Sequence, residues 1–187
     1  MFWLPAALLL NDSTVTGYVE HLCHRFAPQV QVAVIVDADA AAGVKPNGEI
    51  RITTAMITEA ENEAELAGIL AHEIAHLRKK IDAAPPDDED FGICLRFNRH
   101  DLDFEGGKQW EHDADQTAIE MLTKAGYDPM AMLRYFSTLR HASPGLPRAF
   151  SAEDILIERL QLEANDHPMK DPVVDTPEFQ AIRGRLK

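Results

Sequence analysis

Apolar residues recur along this chain in two rhythms, and the rhythms mark its elements. After Asn11-Asp12-Ser13-Thr14, a cluster suited to capping a helix, Val15, Val19, Leu22, Cys23 and Phe26 follow at helical spacing until Ala27-Pro28. Val30 to Val36 is rich in β-branched residues and predicts a strand. Residues 37–47 contain Gly43 and Pro46, Gly48 follows, and the stretch predicts a loop. Gly48 to Thr54 alternates polar and apolar side chains, the pattern of a half-exposed strand. From Glu61 the helical rhythm returns, with Leu66, Ile69, Leu70, Ile74 and Leu77 on one face. Acids come first and Arg78, Lys79 and Lys80 last, an order that suits the helix dipole. Asp82 to Gln109 holds Pro85-Pro86 and the run Asp87-Asp88-Glu89-Asp90, and reads as a long solvated connection that could cover a site as a lid. A second long helix runs from about Gln109 to Lys124 on Ala118, Ile119, Met121 and Leu122, and Gly126 closes it. Asp128-Pro129 opens a further helix to about Arg140, whose Met130, Leu133, Tyr135, Phe136 and Leu139 read as core. A last short helix spans Glu178 to Leu186.

These elements predict one α+β domain over residues 1–187, mostly helical with a small sheet. It comprises an N-terminal helix and strand (1–44), a core (45–160) and a tail (161–187). The length suffices for a single hydrophobic core. Composition then narrows the partners. With 18 basic and 31 acidic residues the formal net charge is −13, which argues against nucleic acid and anionic membrane surfaces. The apolar run Met1–Leu10 is too short to span a bilayer and lacks a basic signal-peptide start, so a docked segment is expected and no integral membrane span. Cys23 and Cys94 are too few for a disulfide framework, and free thiols point to a reducing, cytoplasmic setting. A periplasmic or membrane-associated setting follows instead if Met1–Leu10 is the remnant of an upstream anchor.

The candidate chemistry sits in Leu70-Ala71-His72-Glu73-Ile74-Ala75-His76-Leu77. On a helix, residues four apart share a face, so His72 and His76 can offer two ring nitrogens to one tetrahedral ion. Glu73, beside the first histidine, is placed to take a proton from a water at that ion. This is the HExxH pattern of zinc hydrolases. The bland alternative is a pair of satisfied core histidines. His21, Cys23 and His24 do not have the spacing of a closed zinc site.

A zinc site needs a third protein ligand. Asp82 stands where a three-histidine pattern would place its third histidine, so that pattern is excluded. The next candidate lies in Trp110-Glu111-His112-Asp113-Ala114-Asp115, where Glu111 and Asp115 are one helical turn apart. Glu111 can supply the third ligand, and Asp115 can accept the spare N–H of a ligating histidine and fix its tautomer. His100, near Asp101 and Asp103, is a weaker alternative ligand.

His-Glu-Ile-Ala-His followed by Glu-x-x-x-Asp resembles the gluzincins of peptidase family M48. Ile52-Thr53-Thr54-Ala55-Met56-Ile57, Glu61-Asn62-Glu63-Ala64-Glu65-Leu66-Ala67 and Ala125-Gly126-Tyr127-Asp128-Pro129 extend the likeness from about Lys45 to Leu160. The resemblance implies a zincin-like domain binding one Zn2+ through His72, His76 and Glu111, with Glu73 as general base. It implies a zinc metalloendopeptidase of extended or unfolded polypeptides, with protein quality control as a setting. It also implies that Gly48–Thr54 is an edge strand bordering the active-site cleft, so that Glu49, Ile50, Arg51, Ile52 and Thr53 would dock substrate by strand addition. Relatives carry a His-Pro pair with an arginine six residues beyond that histidine. Here Ser151-Ala152-Glu153-Asp154 replaces the pair, which is lost or displaced to His167-Pro168, while Arg159 keeps the arginine position near the forming oxyanion. The alternative from another class is a catalytically idle zinc-binding domain that only binds peptides. The intact Glu73 argues against it.

Overall fold

The computed structural model describes residues 8–45, 47–80, 107–135, 161, 165 and 169–187; in residues 79–80 and 107–111 only the backbone path is described. The domain is α+β. Helix α1 (Ser13–His24) leads to strand β1 (Gln31–Ile35), then β2 (Ala42–Val44), β3 (Glu49–Thr53), a short α2 (Thr54–Glu59) and the two long helices α3 (Glu63–Lys80) and α4 (Gly107–Ala125). A helical stretch at 130–135 and a C-terminal helix, Pro177–Arg185, complete it.

Local chemistry explains where the elements begin and end. Asp12 caps α1, its Oδ1 accepting from Thr14 N at 2.9 Å and Val15 N at 3.2 Å. Thr53 ends β3 and caps α2 through Oγ1, which also accepts from Ala41 N at 2.9 Å. At the start of α3, Glu65 N donates to Asn62 Oδ1 at 3.0 Å while Glu61 N donates to Glu65 Oε2 at 2.8 Å, a variant of the capping box. Helix α4 closes with the Schellman pair Tyr127 N to Leu122 O and Gly126 N to Thr123 O. Gly126 has φ +85°, the left-handed conformation that favours glycine.

The sheet order is β1-β3-β2. β3 pairs parallel with β1 (Val32 opposite Ile50) and antiparallel with β2 (Gly43 opposite Arg51). The chain leaves β1, crosses to the far edge as β2, and returns into the gap as β3. This overturns the reading of Gly48–Thr54 as an edge strand. Both edges of Glu49–Thr53 are paired, and Ile50 and Ile52 are fully buried, so Glu49, Ile50, Arg51, Ile52 and Thr53 offer no open ladder to a substrate. The strand that covers them, Ala42-Gly43-Val44, lies within the expected loop 37–47. Alanine and glycine are poor strand formers, and tertiary pairing overrides their preference. Residues 8–10 add to the outer side of β1, with Leu10 N donating to Val34 O and Val36 N to Leu8 O, so that part of the N-terminal run docks as expected.

Helix α3 is the centre of the core. It packs on α1, α4 and β2, and residues 63–76 are all buried. Leu66, Ile69, Leu70 and Ile74 meet Val19 and Leu22 of α1, Ile50 and Ile52 of β3 and Ile119 and Leu122 of α4 in one cluster. Gly68 lets the 130–135 stretch approach closely, since a Cβ there would lie 2.7 Å from Met132 Cβ. The tail is structural. Val173 N donates to Gly126 O at 2.8 Å, Ala64 N to Val174 O at 2.9 Å and Arg183 Nε to Thr58 O at 2.9 Å. Among the described residues no helix is long and apolar enough to cross a membrane.

Candidate metal centre

His72, Glu73 and His76 lie in the middle of α3, where the helix is covered on all sides. Their exposures of 2%, 0% and 2% mark three ionisable side chains sealed in a core. Burial of such groups is costly unless each is paired or coordinates a cation. The two imidazoles stand edge to face, with centroids 4.5 Å apart and planes at 85°. Their Nε2 atoms face each other at 2.9 Å. From α4, Asp115 Oδ1 lies 2.7 Å from His72 Nδ1, and Asp115 is itself buried.

This geometry fixes the donors. A carboxylate oxygen accepts, so His72 Nδ1 carries the proton and His72 Nε2 presents a lone pair. His76 Nε2 points at the same locus. Two imidazole nitrogens bound to one tetrahedral zinc at about 2.0–2.1 Å sit roughly 3.3–3.4 Å apart. The observed pair needs to open by only about half an ångström to hold such an ion. The donor set therefore fits a metal. The hydrogen bond from His72 to Asp115 is the kind of contact that orients a ligating histidine.

The second helix delivers part of what the sequence predicts. Asp115 reaches His72, and Glu111 lies one turn earlier on α4. The Glu111 side chain is outside the described residues, and among the described residues no third His, Cys, Asp or Glu completes a metal-holding group with the histidines. His112 is half-buried, and its Nδ1 has no hydrogen-bond partner among the described residues. Arg159, Glu153, His167, His100 and the 82–106 part of the long connection also lie outside the described residues. The predicted docking residues Glu49–Thr53 sit inside the sheet. It is β2 that packs beside α3 as the edge strand on that side. Sequence reasoning missed the role of Gly68, one turn before His72. Its signal was a glycine inside a helix of otherwise good formers, which marks a close packing contact.

A buried HExxH helix, whose first histidine is held by an acid from a second helix, thus lies beside a small mixed sheet. A profile of peptidase family M48 matches residues 15–81, from α1 through the end of α3. A protein of Vibrio cholerae serotype O1 that carries the name beta-barrel assembly-enhancing protease is 24% identical over 176 residues, covering 74% of this chain and 36% of that protein. The chain thus spans little more than a third of the length of this relative.

Proposed function

We propose that the chain is a zinc-dependent metalloendopeptidase acting on extended or unfolded polypeptides. The observation that carries this reading is the convergence of His72 Nε2 and His76 Nε2, with Asp115 on His72 Nδ1 and the buried Glu73 between the two histidines in sequence. His72, His76 and Glu111 would hold the ion. Zinc there supplies Lewis-acid chemistry, acidifying water and polarising a carbonyl. Asp115 keeps His72 in the tautomer whose Nε2 lone pair faces the ion. A Glu73 carboxylate oxygen takes the proton of the attacking water and then passes it to the leaving amine nitrogen.

With β3 inside the sheet, the outer strand beside α3 is β2, which is short and buried at all three positions. Recognition through the backbone rather than side chains would suit unfolded chains. The name of the V. cholerae relative, which joins protease to assembly, supports a setting in protein quality control.

The test is cleavage of casein by the zinc-loaded chain and by Glu73→Gln, with metal content measured in both. The amide keeps the shape and removes the base, so zinc should stay and turnover should fall by about 10²–10⁴-fold or more. Near-wild-type cleavage by Glu73→Gln contradicts the mechanism. A wild type that holds zinc and cleaves nothing favours the idle peptide-binding alternative.

A further inference from the structure

Glu63 opens α3 as a carboxylate in a residue only 4% exposed, remote from the histidines and unused by the chemistry above. Such a group persists only if its oxygens are well hydrogen-bonded. Tyr18 Oη donates to Oε2 at 2.8 Å, Tyr127 Oη to Oε1 at 2.5 Å, and Thr176 Oγ1 to Oε2. Arg25, just past α1, donates from Nη1 to the Tyr127 hydroxyl and from Nη2 to Ala125 O at 2.9 Å, and its Nη1 lies 4.0 Å from Glu63 Oε1. The Glu63 N–H donates to Asp175 Oδ1 at 3.1 Å. One carboxylate thus ties together α1, the start of α3, the end of α4 and the segment 173–176. Burial and the Glu63 charge push both tyrosine hydroxyls above the usual phenol range, which keeps them as donors.

Helices α3 and α4 run antiparallel, with polar contacts at two levels, His72 to Asp115 within α4 and Glu63 to Tyr127 two residues past its end. Along α3 these levels are about 13.5 Å apart. Leu66, Ile69 and Leu70 of α3 and Ile119 and Leu122 of α4 share one cluster with buried Ala67, Ala71, Ala75, Ala114 and Ala118, and the polar ties add directional restraint to this packing. A slip of one residue is about 1.5 Å, which would lengthen and misalign the 2.7 Å His72–Asp115 contact.

We infer that Glu63 is a positioning residue for the metal centre. By accepting from Tyr127 it sets the axial register of α4 on α3 and so holds Asp115 against His72. The inference rests on the proposed metal site and adds to it a control point at the far end of both helices.

The test compares Glu63→Gln, Tyr127→Phe and Tyr18→Phe in the full chain. Tyr18→Phe removes a donor to the same carboxylate from α1 and leaves the α3–α4 tie alone. One readout is zinc affinity by chelator competition. The other, in the metal-free chain, is the NMR signal of the His72 Nδ1 proton, protected when Asp115 accepts from it. Glu63→Gln and Tyr127→Phe should weaken zinc binding about tenfold and lose the protected signal. Tyr18→Phe should keep both, although it too lowers Tm. If Tyr127→Phe keeps affinity and signal while Tm falls, or if Tyr18→Phe behaves like Tyr127→Phe, the network is structural only and the inference is overturned. If Glu63→Gln does not fold, Tyr127→Phe decides. A wild type that binds no zinc ends the metal reading, and the proton signal then judges the register separately.

Discussion

Replacing Gly68 by alanine separates tertiary packing from helix propensity. In an isolated helix the change favours folding by about 1 kcal/mol, because alanine loses less backbone entropy. In this fold the new methyl carbon would lie 2.7 Å from Met132 Cβ, 3.1 Å from Cγ and 3.3 Å from Cα. Carbon atoms pack best at about 3.5–4.0 Å, so the 130–135 stretch must retreat by roughly 1 Å. A rotamer change cannot relieve the contact, since Cα and Cβ belong to the chain path itself. Overpacking of this kind costs typically about 1–3 kcal/mol, and a clash with backbone lies at the upper end. The net expectation for Gly68→Ala is a loss of about 1–2 kcal/mol, a fall of several degrees in Tm for a domain of this size. Gly17→Ala supplies the control. It lies in α1 with nothing within 4 Å of an added methyl group, so the same substitution should stabilise the chain by up to about 1 kcal/mol. Urea unfolding of the wild type and both variants measures the two values. Gly68→Ala as stable as Gly17→Ala would refute the close approach of Met132 to α3.

Two further outcomes follow from the site and the core. Glu111→Ala should strip zinc from the chain while His112→Ala retains it, read by metal analysis after dialysis; the reverse result moves the third ligand by one position on α4. The chain's three tyrosines, Tyr18, Tyr127 and Tyr135, are all pushed above the usual phenol range, first by burial and then by nearby Glu63, or by Glu59 and Glu65 for Tyr135. Burial also pushes the Cys23 thiol up to about 12. Groups raised in the folded state contribute stability below their ordinary pKa and lose it as pH rises, so stability should fall from about pH 9 upward, with Cys23 alone giving about 1.4 kcal/mol per pH unit. Phenolate absorbance should then appear in one step together with unfolding, and stepwise ionisation near pH 10 in the folded chain would contradict the burial.

Much of the helical framework was legible because helix ends are local events. Asp12, Gly126 and Asp128-Pro129 each announce a boundary within a few residues, and the structure uses each of them as a cap or a stop. The histidine pair was legible for the same reason, since four-residue spacing on a helix fixes a shared face. Asp115 required a contact between residues 43 apart, and only its one-turn spacing from Glu111 gave it away. The sheet was less legible. Alternation in Gly48–Thr54 reports a strand with two unlike faces and says nothing of which neighbours pair with its edges. The partner that closes its second edge, Ala42-Gly43-Val44, has the composition of a turn. The anchoring of segment 173–185 on α3 and α4 was invisible for a related reason. Its hydrogen bonds from Val173, Thr176 and Arg183 reach partners far away in sequence.

The central claim is that one ion sits between His72 and His76 with an oxygen ligand from α4. X-ray absorption on the zinc-loaded chain counts those ligands directly. The expected result is one zinc per chain with two imidazole nitrogens and oxygen donors at about 2.0–2.2 Å, and one imidazole fewer in His76→Ala. Zinc bound through sulfur, or an unchanged imidazole count in His76→Ala, would contradict it.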